Sequence, residues 1–189
     1  MGFVLLGFAT ANALGVSGAV LQMFSHGVIA ALLFAVAGRM IYRRTHTREL
    51  DALSGMNLSH AMPFAAFTFV FAAAASMGIP GFSGFAAEIT ILIGAWKTYP
   101  IAVWIAGVGI VLVAAFTLRA LKLSFFGEKG VRGEATTVAT LNPEEFNPIT
   151  IPEKIGACML MHATIVVGVC PKLLLDRIMP AVETMRFLK

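Results

Sequence analysis

Gly78-Ile79-Pro80-Gly81-Phe82-Ser83-Gly84-Phe85-Ala86-Ala87-Glu88 lies inside an apolar run from Ala61 to Trp96. That run is about 36 residues long, whereas a helix needs about 20 to cross a hydrocarbon core of about 30 Å. Pro80 lacks a backbone donor and the glycines permit unwinding, so the run reads as one broken helix. A single carboxylate, Glu88, follows the break by about one helical turn. A helix break is tolerated at membrane depth only where it lines a cavity or is buried in protein.

The rest of the chain agrees with a membrane setting. It has 189 residues, 58% hydrophobic and 13% charged, with a mean hydropathy of +0.85. A soluble domain averages about 45–50% apolar and about 25% charged. Disordered, collagen-like, disulfide-framework and ordinary cytosolic classes are thereby excluded. The expected fold is all-α: a polytopic transmembrane helix bundle of about four spans, plus a partial one at the N-terminus.

The expected organisation is one membrane domain over 1–189. Residues 1–11 read as the end of a longer helix, and the chain as a portion of a longer protein. Spans follow at 17–42, at 61–97 (broken), at 101–119 and at 155–171. A polar connection occupies 120–154, with Glu144 and Glu145. The tail, 172–189, mixes charge with Leu, Ile and Met and reads as lying along the membrane surface.

The formal net charge is +4. The basic residues form short clusters between apolar segments, which is the pattern of topology signalling rather than of nucleic-acid binding. If each apolar stretch crosses once, the loops after the first and third spans share a face. That face, with Arg39, holds nine of the 14 Lys and Arg, and the other holds five. The richer face is expected in the cytoplasm. Cys158 and Cys170 lie on one expected helix roughly 18 Å apart at 1.5 Å per residue, too far to pair, and read as small apolar fillers.

Ionisable groups inside a span are costly and are functional candidates by default. Three qualify: His26, Glu88 and His162. His26 lies roughly 15 Å along its helix from one expected face, and Glu88 roughly 13 Å from the same face. Both are thus expected near mid-membrane, where a proton relay would place exchanging groups. The N-terminal end of a half-helix favours the carboxylate form of Glu88, and burial favours the neutral acid. The bland alternatives are structural: a hydrogen bond to a neighbouring helix for His26, and the same, with more weight, for His162. No dinucleotide fingerprint, Walker loop, cysteine cluster or zinc motif is present in the sequence. No cofactor-binding or metal-binding residue is therefore assigned.

Three motifs carry a family resemblance. Leu21-Gln22-Met23-Phe24-Ser25-His26-Gly27 resembles the LQM-x-[SA]HG segment of the antiporter-like membrane subunits of proton-translocating NADH-quinone oxidoreductase, respiratory complex I, of the subunit M or chain 4 type. Arg44-Thr45-His46-Thr47-Arg48-Glu49-Leu50 resembles the family's RTHTR-D/E-L loop, and Gly78 to Glu88 its G-x-PG…G-F-x-x-E broken helix. The resemblance spans nearly the whole chain, strongly to about Phe126. Ala87 departs from a common Gly, and Arg43 from a common acid.

The resemblance implies a proton path in which Glu88 and His26 are relay residues. It also implies partners: the remaining membrane-arm subunits, the lipid bilayer, protons, and an N-terminal half that holds a Glu/Lys pair and a central Lys. NADH, FMN, iron–sulfur clusters and quinone would be bound elsewhere in such a complex. The expected location is a bacterial inner membrane, or alternatively a thylakoid membrane. Two rival readings are a related subunit of a multisubunit cation/proton antiporter or membrane-bound hydrogenase, and a non-transporting membrane scaffold.

Overall fold

The computed structural model describes residues 1–54, 56, 58–126 and 146–185. Among them are ten α-helices and no strand. Helix α1 (Gly2–Ala9) leads into α2 (Ala13–Phe34), which continues as a π-helical segment (Ala35–Tyr42) and one further turn, α3 (Arg43–Thr45). Short helices α4 (Leu50–Ser54) and α5 (Leu58–Ala61) follow. The apolar run divides into α6 (Pro63–Ser76) and α7 (Ser83–Trp96). Then come α8 (Pro100–Phe125), α9 (Ile151–Val169) and α10 (Lys172–Glu183). Glu144, Glu145, Lys129 and Arg132 of the expected polar connection, and the last residues of the tail, lie outside the described residues.

Among the described residues three helices are long and apolar enough to cross a membrane: Ala13–Thr45, Pro100–Phe125 and Ile151–Val169. Helices α6 and α7 have 14 residues each. At 1.5 Å per residue each is roughly 21 Å long, short of a core of about 30 Å, so neither crosses alone.

Boundaries follow local chemistry. Pro63 and Pro100 are first residues of α6 and α8, where the missing N–H costs nothing and φ is already helical. Pro171 precedes α10. The helix at Pro100 therefore begins where the sequence places it, but it runs to Phe125 rather than stopping near Arg119. Arg119 and Lys122 do not end it, because both are good helix formers. The helix expected from Ile155 starts at Ile151, with Pro152 tolerated in its first turn.

The described residues form two compact units. One comprises Ala31–Ala73 with Ala115–Met161. Its core holds Leu32, Val36, Met40, Leu58, Met62 and Phe125, and the Phe69 and Phe125 rings pack 5.2 Å apart. The side chain of Arg44, expected to be loop charge, is buried here at 4% exposure. It donates to Glu153 at 3.0 Å, to the Asn147 and Pro148 carbonyls at 2.6 and 2.9 Å, and to the Met40 carbonyl at 3.0 Å. Arg39 lies 3.4 Å from the other Glu153 oxygen. The turn beyond is closed by His46 in the left-handed conformation at φ 54, while Thr45 Oγ1 donates to the Ile41 carbonyl. Tyr42 carries the Arg48 guanidinium 4.2 Å above its ring.

The other unit comprises Met1–Ala30, Ala74–Ala114 and His162–Lys189. Its centre is a seam between α2 and α7 made of small residues. A Cβ on Gly94 would sit 2.6 Å from the Gly15 Cα, and one on Gly18 would sit 2.9 Å from Ile91. Such close backbone approach is the packing expected in lipid, where dispersion and hydrogen bonds hold helices together. Asn12 fastens the end of the seam: its side-chain oxygen accepts from the Gly15 N–H at 2.8 Å, capping α2, and its amide donates to the Gly94 carbonyl at 2.8 Å. Asn12→Ala removes both bonds. Loss of about 1–2 kcal/mol is expected, read as a lowered unfolding temperature of the intact subunit in detergent. An unchanged temperature would contradict this role.

The apolar residues of α10, Leu174, Leu175 and Ile178, pack on Leu21, Ala87 and Val167. These positions repeat at i, i+1 and i+4, one face of a helix, with Lys172, Asp176 and Arg177 exposed on the other. Cys158 and Cys170 are free and exposed, not core fillers. Trp96 and Trp104 pair with ring centroids 6.2 Å apart beside Lys97, an aromatic and basic cluster of the kind found at membrane interfaces.

Candidate functional site

Helix α6 ends by a specific device. The Ile79 N–H donates to the Ala74 carbonyl at 3.3 Å and the Gly78 N–H to the Ala75 carbonyl at 3.4 Å. Gly78 stands at φ +70. This pair of bonds around a left-handed glycine is a Schellman closure, which satisfies two of the carbonyls that a helix end leaves free. The break is thus less open than its Pro and Gly content alone suggests. Helix α7 then starts at Ser83 without a side-chain cap.

Three contacts hold the break. Ser25 of α2 and Ser83 of α7 share a buried hydrogen bond of 2.8 Å. A Cβ on Gly84 would come 2.8 Å from the Ala75 carbonyl, so the two half-helices approach closely. Gly168 of α9 abuts the Gly81 carbonyl and the Phe82 backbone.

Glu88 sits on α7, half-buried, on this scaffold. Its Oε2 occupies the face of Gly78: a Cβ built on that glycine would lie 2.7 Å from it. Among the described residues Glu88 makes no ion pair and no side-chain hydrogen bond. The neighbouring Thr90 hydroxyl is satisfied within the helix by the Ala86 carbonyl at 2.7 Å. Elsewhere in α2 two buried polar atoms, Ser17 Oγ and Gln22 Oε1, have no hydrogen-bond partner among the described residues.

His26 takes a different position. It lies on an exposed face of α2, while its neighbour Ser25 is fully buried against α7. Successive residues on an α-helix are about 100° apart, so both cannot face α7. The described residues bring Glu88 to the break and do not join His26 to it directly. His162 is also exposed, on α9. Among the described residues no group of three or more His, Cys, Asp or Glu is arranged to hold a metal. Gly78, Ser83, Ser25 and Gln22 stand in the quoted motifs without a role of their own, yet they lie at the break or on the helix beside it. Their signal was available: polar residues within an apolar span, and a glycine just past the end of a helix.

A broken membrane helix that carries a lone acid beside its break, packed against an unbroken span, defines a class: a helical membrane protein of the antiporter-like kind. The chain belongs to the NADH:quinone oxidoreductase/Mrp antiporter transmembrane family, whose pattern matches residues 1–114. It is 37% identical over 179 residues to NAD(P)H-quinone oxidoreductase chain 4 1 of Synechococcus elongatus, covering 92% of this chain and 31% of that one. It is 37% identical over 182 residues to NADH-quinone oxidoreductase subunit M of Rhodobacter capsulatus, covering 96% and 33%. The chain therefore spans about a third of the length of these relatives.

The fold matches a chain of respiratory complex I from Thermus thermophilus with bound NADH. The TM-score is 0.83 at 27% identity, over 99% of this chain and 36% of that one. It also matches a chain of the Mrp complex from a Dietzia species at a TM-score of 0.75 and 23% identity, over 96% and 40%, a likeness of fold.

Proposed function

We propose that this chain forms part of a proton path in the membrane arm of an NADH-quinone oxidoreductase, with Glu88 as its proton carrier. The observation that carries the reading is the half-buried Glu88 carboxyl group resting on the break between α6 and α7. The protonated acid releases its proton to a water or an adjoining polar group, leaving the carboxylate. Uptake of a proton from the other side restores the acid. No bond other than O–H is made or broken, and the driving free energy comes from electron transfer elsewhere in the assembly.

Relatives named as chain 4 and subunit M support the oxidoreductase assembly over an Mrp-type antiporter. NADH, flavin, iron–sulfur clusters and quinone belong, in this reading, to other subunits. The membrane is a bacterial inner membrane or a thylakoid. The test places Glu88→Gln in the intact subunit within its complex and compares NADH-driven proton translocation in vesicles with assembly. Unchanged translocation by a fully assembled complex would refute the role.

His26, on its outer face of α2, is the secondary relay residue. His26→Ala is expected to lower translocation by only about two- to fivefold, because an ordered water can bridge a gap between polar groups. An assembled but wholly inactive variant would contradict this ranking.

A further inference from the structure

We infer that Gly78 is a positioning residue for the Glu88 carboxyl group, setting where the proton carrier sits and not merely ending α6. The inference rests on the proposed role of Glu88, but its central measurement reads position and not transport. Two requirements coincide at Gly78. Its φ of +70 closes α6, and its missing Cβ makes the space that Glu88 Oε2 occupies, 2.7 Å from where a Cβ would be.

The surroundings decide what would yield. The break is held by the Ser25–Ser83 hydrogen bond, by the close approach of Gly84 to the Ala75 carbonyl, and by Gly168 against the Gly81 carbonyl. With the backbone restrained on three sides, an added methyl group is accommodated by the end of the flexible Glu88 side chain. The carboxyl group then leaves its seat while the break persists.

Gly81 supplies the control. It also has a positive φ, +99, but a Cβ there meets nothing within 4 Å. Gly81→Ala adds backbone strain of the same kind without touching the carboxyl group.

The experiment uses the intact subunit in its complex and measures the rate at which a hydrophobic carbodiimide labels Glu88, with Glu88→Gln defining the background. Gly78→Ala is expected to change that rate at least about threefold and to cut translocation by about tenfold, as misplacement on the scale of 1 Å is enough to do. Gly81→Ala should leave the labelling rate unchanged. Glu88→Asp shortens the side chain by one methylene and relieves the clash. The double variant G78A/E88D should therefore translocate better than G78A alone, or assemble where G78A does not. A wild-type labelling rate in G78A, an equal change in G81A, or no rescue by E88D would overturn the inference. If Glu88→Gln pumps normally while G78A still shifts the labelling, only the proton-carrier role fails.

Discussion

Glu88→Gln in the intact subunit is expected to lower NADH-driven proton translocation by about tenfold or more, with the complex assembled, since a positioned acid or base typically contributes about a hundredfold or more to proton transfer. Gln matches the acid in shape and size but cannot release a proton. It also removes no contact that holds the fold. Among the described residues Glu88 has no ion pair and no side-chain hydrogen bond, and the seam beside it consists of Leu21, Ala87, Ser25 and Ser83. Assembly and thermal stability should therefore survive.

Glu88→Asp separates titration from position. It keeps a carboxyl group but draws it back from Gly78, so translocation should fall between wild type and Gln. A scaffold reading makes the opposite forecast: all three proteins would pump alike. Equal loss with Asp and Gln would contradict that order.

The contrast between Glu88 and His26 shows what a sequence of this kind discloses. Composition and span length reveal the membrane helices, because about 20 apolar residues have few other uses. Pro80 and the glycines reveal the break for an equally local reason. Distance along a helix also follows, since rise per residue is fixed. Orientation about the helix axis does not. In α2 apolar residues lie on every side, so no stripe marks the face that meets α7, and Ser25 rather than His26 meets it. Seat and partner are harder still. The contact of Glu88 with Gly78 returns over ten residues through a turn whose closure depends on one glycine's φ. The packing of α10 on Ala87 joins segments more than 80 residues apart.

Arg44 is the sharpest such case, and Arg44→Ala is expected to be the most destabilising single change outside the seam, at about 3–5 kcal/mol. In the sequence Arg44 belongs to a basic cluster that signals topology. In the structure its side chain is 4% exposed, and that of its partner Glu153 is 6% exposed. The contacts with Asn147, Pro148 and Glu153 span 103 to 109 residues, so no local pattern could announce them.

Truncating Arg44 leaves the Glu153 carboxylate buried, with Arg39 as its nearby cation at 3.4 Å; that guanidinium is 65% exposed and lacks hydrogen-bond geometry to its oxygen. The Asn147, Pro148 and Met40 carbonyls lose a donor at the same time. Adding Glu153→Ala removes the stranded charge, and the double variant should recover about 1–2 kcal/mol relative to R44A, since groups in one network do not act additively. Full recovery is not expected, because the carbonyls still lack the guanidinium donor. Arg44→Lys should not substitute: an ammonium reaches one or two of these acceptors, whereas the guanidinium fork reaches the carboxylate and the carbonyls together. The check is thermal unfolding of the intact subunit in detergent for R44A, R44K and R44A/E153A. A loss under about 1 kcal/mol in R44A would place the pair among exposed ion pairs, which contribute little, and would sink the claim that it clasps α3 to the start of α9.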